Sequence, residues 1–198
     1  MMQDILQQTT GAQWFGVLFS MIQVVLAWRN NPNNYLFGIA GIALTLYVMF
    51  ISKLYGEFTL NLYYLVMSIY GWLYWKYGKQ KEETKISTTT TQEKGIVLGI
   101  ISFTFGLFWF FLTHFTDSDV PIWDAIVSAF AWAGMWLMAK RKVENWILLN
   151  ISNFIAVPLM IHKNLYLYAG LTVFLFVVAV LGYIKWSRIL KEENHVKC

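Results

Sequence analysis

The chain reads as an all-α integral membrane protein of seven transmembrane helices, its amino terminus outside and its carboxyl terminus cytoplasmic. Three observations predict this. Of its 198 residues, 58% are hydrophobic and 13% charged, against roughly 25% charged in an ordinary soluble domain. Mean hydropathy is +0.50. The apolar residues gather into seven runs, and the basic residues fall on alternate loops.

The runs lie at 12–28, 35–51, 58–75, 96–115, 120–139, 146–161 and 165–184. Before the first, Met1–Trp14 carries no basic residue, the first being Arg29; it reads as a short outer tail rather than a cleavable leader. Pro32 and the cluster Asn30–Asn34 separate the first two runs, and a loop at 52–57 with Lys53 and Glu57 parts the second from the third. The fourth follows the low-complexity polar stretch Lys85–Lys94, and Pro121 opens the fifth, where a first-turn proline loses no helical hydrogen bond. Several runs are slightly short for about 30 Å of hydrocarbon, and Trp and Tyr supply their interfacial ends.

Loop charge tests the count. With seven alternating helices, Lys53 and Lys163 face one side, and the other thirteen of the fifteen Lys and Arg face the opposite side. That asymmetry puts the amino terminus outside. A pI near 9.1 therefore marks cytoplasmic loops rather than nucleic-acid binding.

Several chemistries are excluded. Cys198 is the only cysteine, so there is no disulfide framework and no cysteine metal site. No Asp, Glu, Lys or Arg lies in the middle of a run; Glu57, Asp124 and Glu144 sit near ends. An intramembrane proton relay would need such a residue. His114, His162 and His195 have no ligand spacing, and no phosphate loop, nucleophile triad or cofactor box occurs. No cofactor and no metal are expected, and the chain does not read as an enzyme. Lys185 stands too near the inner edge for a retinal Schiff base.

Sliding the sequence by 111 positions aligns Asn34-Tyr35 with Asn145-Trp146, Leu54-Tyr55 with Leu165-Tyr166, Gly71-Trp72 with Gly182-Tyr183, and Trp75 with Trp186. The organisation this predicts is a first three-helix repeat (12–75), a cytoplasmic linker (76–95), a linker helix (96–115), a second repeat (120–186) and a cytoplasmic tail (187–198). The extra crossing makes the repeats parallel, a transporter architecture with substrate near mid-membrane.

Two stretches could bind a ligand. In the third helix, Ser68-Ile69-Tyr70-Gly71-Trp72 offers stacking faces beside a glycine; an interfacial aromatic belt accounts for the same rings. Opening the sixth helix, Trp146, Asn150 and Asn153 stand at i, i+4 and i+7 on one face. Carboxamides in an apolar span are costly unless satisfied; a ligand or a neighbouring helix can satisfy them. Asn61 is a similar candidate and Gln23 a weaker one. Trp132 and Trp136, also i and i+4, form either an aromatic wall or core packing. Gly95 and Gly99 make a GxxxG step by which the fourth helix could pack closely.

These motifs resemble the PnuC family of bacterial vitamin transporters. The resemblance rests on Ile69-Tyr70-Gly71-Trp72 through Trp75, on Arg141-Lys142-Val143-Glu144-Asn145-Trp146 through Asn153, and on Asn34-Tyr35-Leu36-Phe37-Gly38 and Leu54-Tyr55. It implies a SWEET-like three-plus-one-plus-three fold and a homotrimer in the inner membrane. The implied activity is facilitated diffusion of nicotinamide riboside, trapped by a cytosolic vitamin kinase, with thiamine as the alternative substrate. Two departures bear on the ligand: Leu149 stands where riboside-type members have a second Trp, and Asn61 and Ser68 stand where they have Gln and Asn. A membrane enzyme or sensor of the same fold would need a polar catalytic constellation or an appended domain.

Overall fold

The computed structural model describes residues 11–51, 55–78 and 84–195. The polar tail at 1–10, Lys53 and Leu54, Lys79 and Lys81 of the linker, and Cys198 lie outside the described residues. The described residues form seven helices: α1 (Gly11–Trp28), α2 (Asn34–Ile51), α3 (Tyr55–Tyr77), α4 (Thr91–Phe115), α5 (Pro121–Ala139), α6 (Asn145–His162) and α7 (Tyr166–His195). Among the described residues α4, α5, α6 and α7 are long and apolar enough to cross a membrane. Shorter apolar stretches occupy Trp14–Trp28 and Asn34–Tyr47. The protein is an all-helical, multi-pass membrane protein.

The chain divides into a unit ending at Thr84 and a unit beginning at Lys85. In the first, α2 packs against both α1 and α3; in the second, α4, α5, α6 and α7 pack in chain order. On the outward side of α4, Leu98, Phe103 and Phe115 are about two-thirds exposed, as lipid contact requires, while its large exposed polar side chains Gln92, Lys94 and His114 stand at the two ends.

Three helices end in the same way. Asn30, Arg141 and Asn164 have φ of 60°, 57° and 58°, the left-handed conformation of a helix-terminating residue. The following N–H closes each motif five residues back: Asn31 to Leu26 O at 2.9 Å, Lys142 to Leu137 O at 3.0 Å, and Leu165 to Met160 O at 2.8 Å. Two of these turns are also plugged from the next helix. The wholly buried carboxamides of Asn34 and Asn145 donate to Asn31 O and Lys142 O respectively.

Two expected boundaries need correction. α4 begins at Thr91 rather than 96, because Thr90 and Glu93 form a capping box: Thr90 Oγ1 accepts the Glu93 N–H at 3.3 Å and Glu93 Oε2 accepts the Thr90 N–H at 2.9 Å. Thr90→Ala should therefore lower the unfolding free energy by about 1 kcal/mol, read as a lower thermal midpoint in detergent; an unchanged midpoint would remove the cap from the account. The expected cytoplasmic tail at 187–198 is helical as far as His195. After Gly182 no Gly or Pro interrupts α7, and its Lys, Leu, Arg and Glu residues favour helix.

The GxxxG expectation is also corrected. A Cβ placed at Gly95 or Gly99 would meet nothing within 4 Å. α4 instead buries the narrow stripe Val97, Thr104 and Phe108. On α5 the small residues Ala125, Ala129 and Ala133 are buried at four-residue spacing, and Val97 joins Ala133 and Leu137 in one cluster. The end of α5 remote from this cluster is pinned by Asp124, which accepts from Ser118 Oγ at 2.9 Å and from Lys163 Nζ at 2.6 and 2.8 Å. Nearby, the hydrogen bond to His162 holds the exposed Asp119 carboxyl below its ordinary range.

Candidate functional site

In the first unit a ring lies directly on a glycine. A Cβ at Gly71 would sit 2.5 Å from Cε1 and Cζ of the Tyr35 ring and 2.7 Å from its hydroxyl oxygen, so only glycine permits α2 and α3 to approach this closely. Behind it Trp75, 1% exposed, meets Tyr35 edge-on at 5.2 Å and 89°. The second unit repeats the device: a Cβ at Gly182 would meet the Trp146 ring at 2.6–2.7 Å, and Trp146 meets Trp186 edge-on at 5.4 Å and 84°. Both indoles of this pair are fully enclosed.

From Trp146 an open groove of about 560 Å³ runs between α6 and α7. Its α6 wall is Trp146, Ile147, Asn150, Ile151, Phe154 and Ile155; its α7 wall is Phe176, Val180 and Tyr183. Polar atoms are few. Asn150 Oδ1 is shielded from solvent with no hydrogen-bond partner, and so is Trp146 Nε1. Pro158 stands inside α6 and has no N–H to give the carbonyl of Phe154. An apolar wall with a shielded acceptor and a shielded donor suits a flat, largely apolar ring carrying an amide, amine or hydroxyl.

The candidates predicted from sequence separate here. Trp146 and Asn150 share the groove wall; Asn153 is half-buried and is not part of that wall. Leu149 packs onto α5, where a Cβ on Gly134 would meet its side chain at 2.8 Å. Trp132 and Trp136 do not line the groove: Trp132 meets Phe108 of α4 edge-on at 5.3 Å, and Trp136 packs on the α4–α5 cluster with Lys140 Nζ 5.1 Å from its ring centroid. Both belong to the α4–α5 seam.

In the first unit, Ser68 is wholly buried and its Oγ has no partner, while Asn61 is half-buried. Tyr70 is partly exposed and stacks on Tyr74 at 5.7 Å, and Trp72 lies under Lys76 Nζ at 5.2 Å. Gln23 lies over Gly38, its amide 2.7–3.0 Å from where a Cβ would stand. The α7 wall was missed from sequence. Its signal is Phe176, Val180 and Tyr183 at i, i+4 and i+7, the spacing of Trp146, Asn150 and Asn153.

Comparison with known proteins agrees with this architecture. The nicotinamide riboside transporter PnuC of Escherichia coli is 22% identical over 90% of this chain and 86% of its own length. That of Neisseria mucosa is 27% identical over 86% of this chain and 70% of its own. A crystal structure of the vitamin B3 transporter PnuC superposes with a TM-score of 0.69 at 25% identity, covering 90% of this chain and 81% of that one. The profile of the nicotinamide mononucleotide transporter family matches residues 10–188, and the chain accordingly belongs to that family.

Proposed function

We propose that the protein carries nicotinamide riboside across the bacterial inner membrane by facilitated diffusion. The observation that carries this is the family match over residues 10–188. A site of aromatic rings and carboxamides, with no charged residue in the middle of any apolar run, suits a flat aromatic cation with hydroxyls. In the second unit the substrate-binding candidates are Trp146, Asn150 and Asn153 of α6; those of the first unit are Asn61, Ser68, Tyr70 and Trp72 of α3. The proposal includes seven crossings with the amino terminus outside, supported by the loop charges. It also includes two parallel three-helix repeats, supported by the ring-on-glycine pairs Tyr35/Gly71 and Trp146/Gly182. Assembly as a homotrimer, trapping by a cytosolic kinase and the absence of enzymatic activity complete the reading.

Thiamine is the second reading. Leu149, in the position where riboside-type members of the resembled family have a Trp, is packed onto Gly134 and offers no second ring. Uptake of each labelled vitamin into proteoliposomes, competed by the other, decides between them. Without an intramembrane ionisable group, a protonophore should leave the initial rate unchanged. Accumulation above the outside concentration, abolished by the protonophore, would refute facilitated diffusion.

A further inference from the structure

The segment opening the second unit looks structureless in sequence, with Ser87 followed by four threonines, yet it is stitched to the α5–α6 turn. Ser87 donates its N–H to Arg141 O at 3.2 Å and accepts the Val143 N–H at 3.0 Å, a parallel bridge with Lys142. Lys142 Nζ donates to Thr88 O at 3.1 Å and pairs with Glu93 at 2.9 Å, at a contact where both side chains are largely buried. Both oxygens of Glu144 accept the Thr89 N–H at 3.0 Å. Beside Ser87, Ile86 is 3% exposed.

The turn so gripped starts α6. Glu144 occupies the N-cap position but makes no capping bond to its own helix; its carboxylate is given to Thr89 instead. The first N–H groups of α6 go to the turn: Asn145 to Lys142 O at 3.2 Å and Trp146 to Val143 O at 3.3 Å. What holds the turn therefore holds the first turn of α6, on which Trp146 stands.

We propose that Ser87–Thr90 is a strap that stays closed throughout the transport cycle, with Lys142 and Glu144 as positioning residues. It sets the first turn of α6 in binding geometry and makes α4 one body with α5–α7. The proposal rests on the transporter reading above.

The test uses the pair Ser87→Cys and Lys142→Cys in a Cys198→Ser parent. Bridged residues lie at the inter-strand spacing of about 4.8 Å, within the Cα separation a disulfide spans. Reduction removes the Lys142 contacts; oxidation replaces them by a covalent tie in the same molecule. Vitamin uptake by the reduced pair should be about ten-fold slower than by the parent, and oxidation should restore the parent's rate. Hydrogen exchange at the amides of 145–148 should be faster in the reduced form and return to the parent's rate on oxidation. A reduced form as fast as the parent would overturn the proposal, and so would an oxidised form that stays slow, as a strap that must open would give. Amide exchange indifferent to oxidation would also overturn it, even in a parent that carried neither vitamin. A parent that fails to transport, with exchange behaving as expected, would count against the transporter reading alone.

Discussion

Gly182→Ala is expected to destabilise the protein by about 1–3 kcal/mol, the largest effect we anticipate from adding a single methyl group. The new Cβ would stand 2.6–2.7 Å from Cε2, Cδ2 and Cζ2 of Trp146, well inside van der Waals contact. The indole cannot step aside, because it has no exposed surface and Trp186 stands edge-on to it. Relief has to come from separating α6 and α7 or shifting Trp146 off its rotamer, and either disturbs the head of the groove. Thermal unfolding in detergent measures the loss. Trp146→Phe removes part of the contacted ring, so the double variant should recover some of the cost, which a double-mutant cycle reads as coupling. Strict additivity would contradict the contact. Gly71→Ala should behave alike against Tyr35.

Asn150→Ala and Asn153→Ala should each weaken vitamin binding by about 5- to 150-fold, the order expected when a shielded hydrogen-bonding partner is removed. Asn150 has the clearer structural case: its Oδ1 is buried and without a partner in the wall of the groove, so a ligand donor would satisfy it and alanine would not. Asn153 rests on the family motif and on its place in the helical stripe. Calorimetry on both purified variants, checked for folding and oligomeric size, separates them. Loss in Asn153→Ala alone would move the ligand off the groove face of α6, and unchanged affinity in Asn150→Ala would make that carboxamide a helix-packing group.

How much of this was legible in sequence depended on contrast. Pro121 begins α5 and the Asn30–Asn34 cluster ends α1 where their chemistry says they must, because proline and asparagine act locally. The start of α4 was missed although Thr90 and Glu93 spell a capping box, since the surrounding threonines mask it as low complexity. The end of α7 was missed because loss of apolar character ends a membrane span without ending a helix. The Gly95–Gly99 step misled for another reason: spacing says that two glycines share a face and nothing about whether a neighbour meets it. Trp132 and Trp136 share a face too, and that face turns out to meet α4. The α7 wall of the groove stayed hidden because a helix apolar all round carries no periodic contrast.

The two enclosed indoles of the second unit give the protein an internal optical marker. Trp146 and Trp186 are fixed 5.4 Å apart at 84°, close and dissymmetric enough for their excited states to couple and sign the circular-dichroism spectrum. The first unit sets a phenol against an indole in the same arrangement, so its contribution falls at different wavelengths. A change in that pair's signal on adding vitamin would thus report on α6 and α7 with no dye attached.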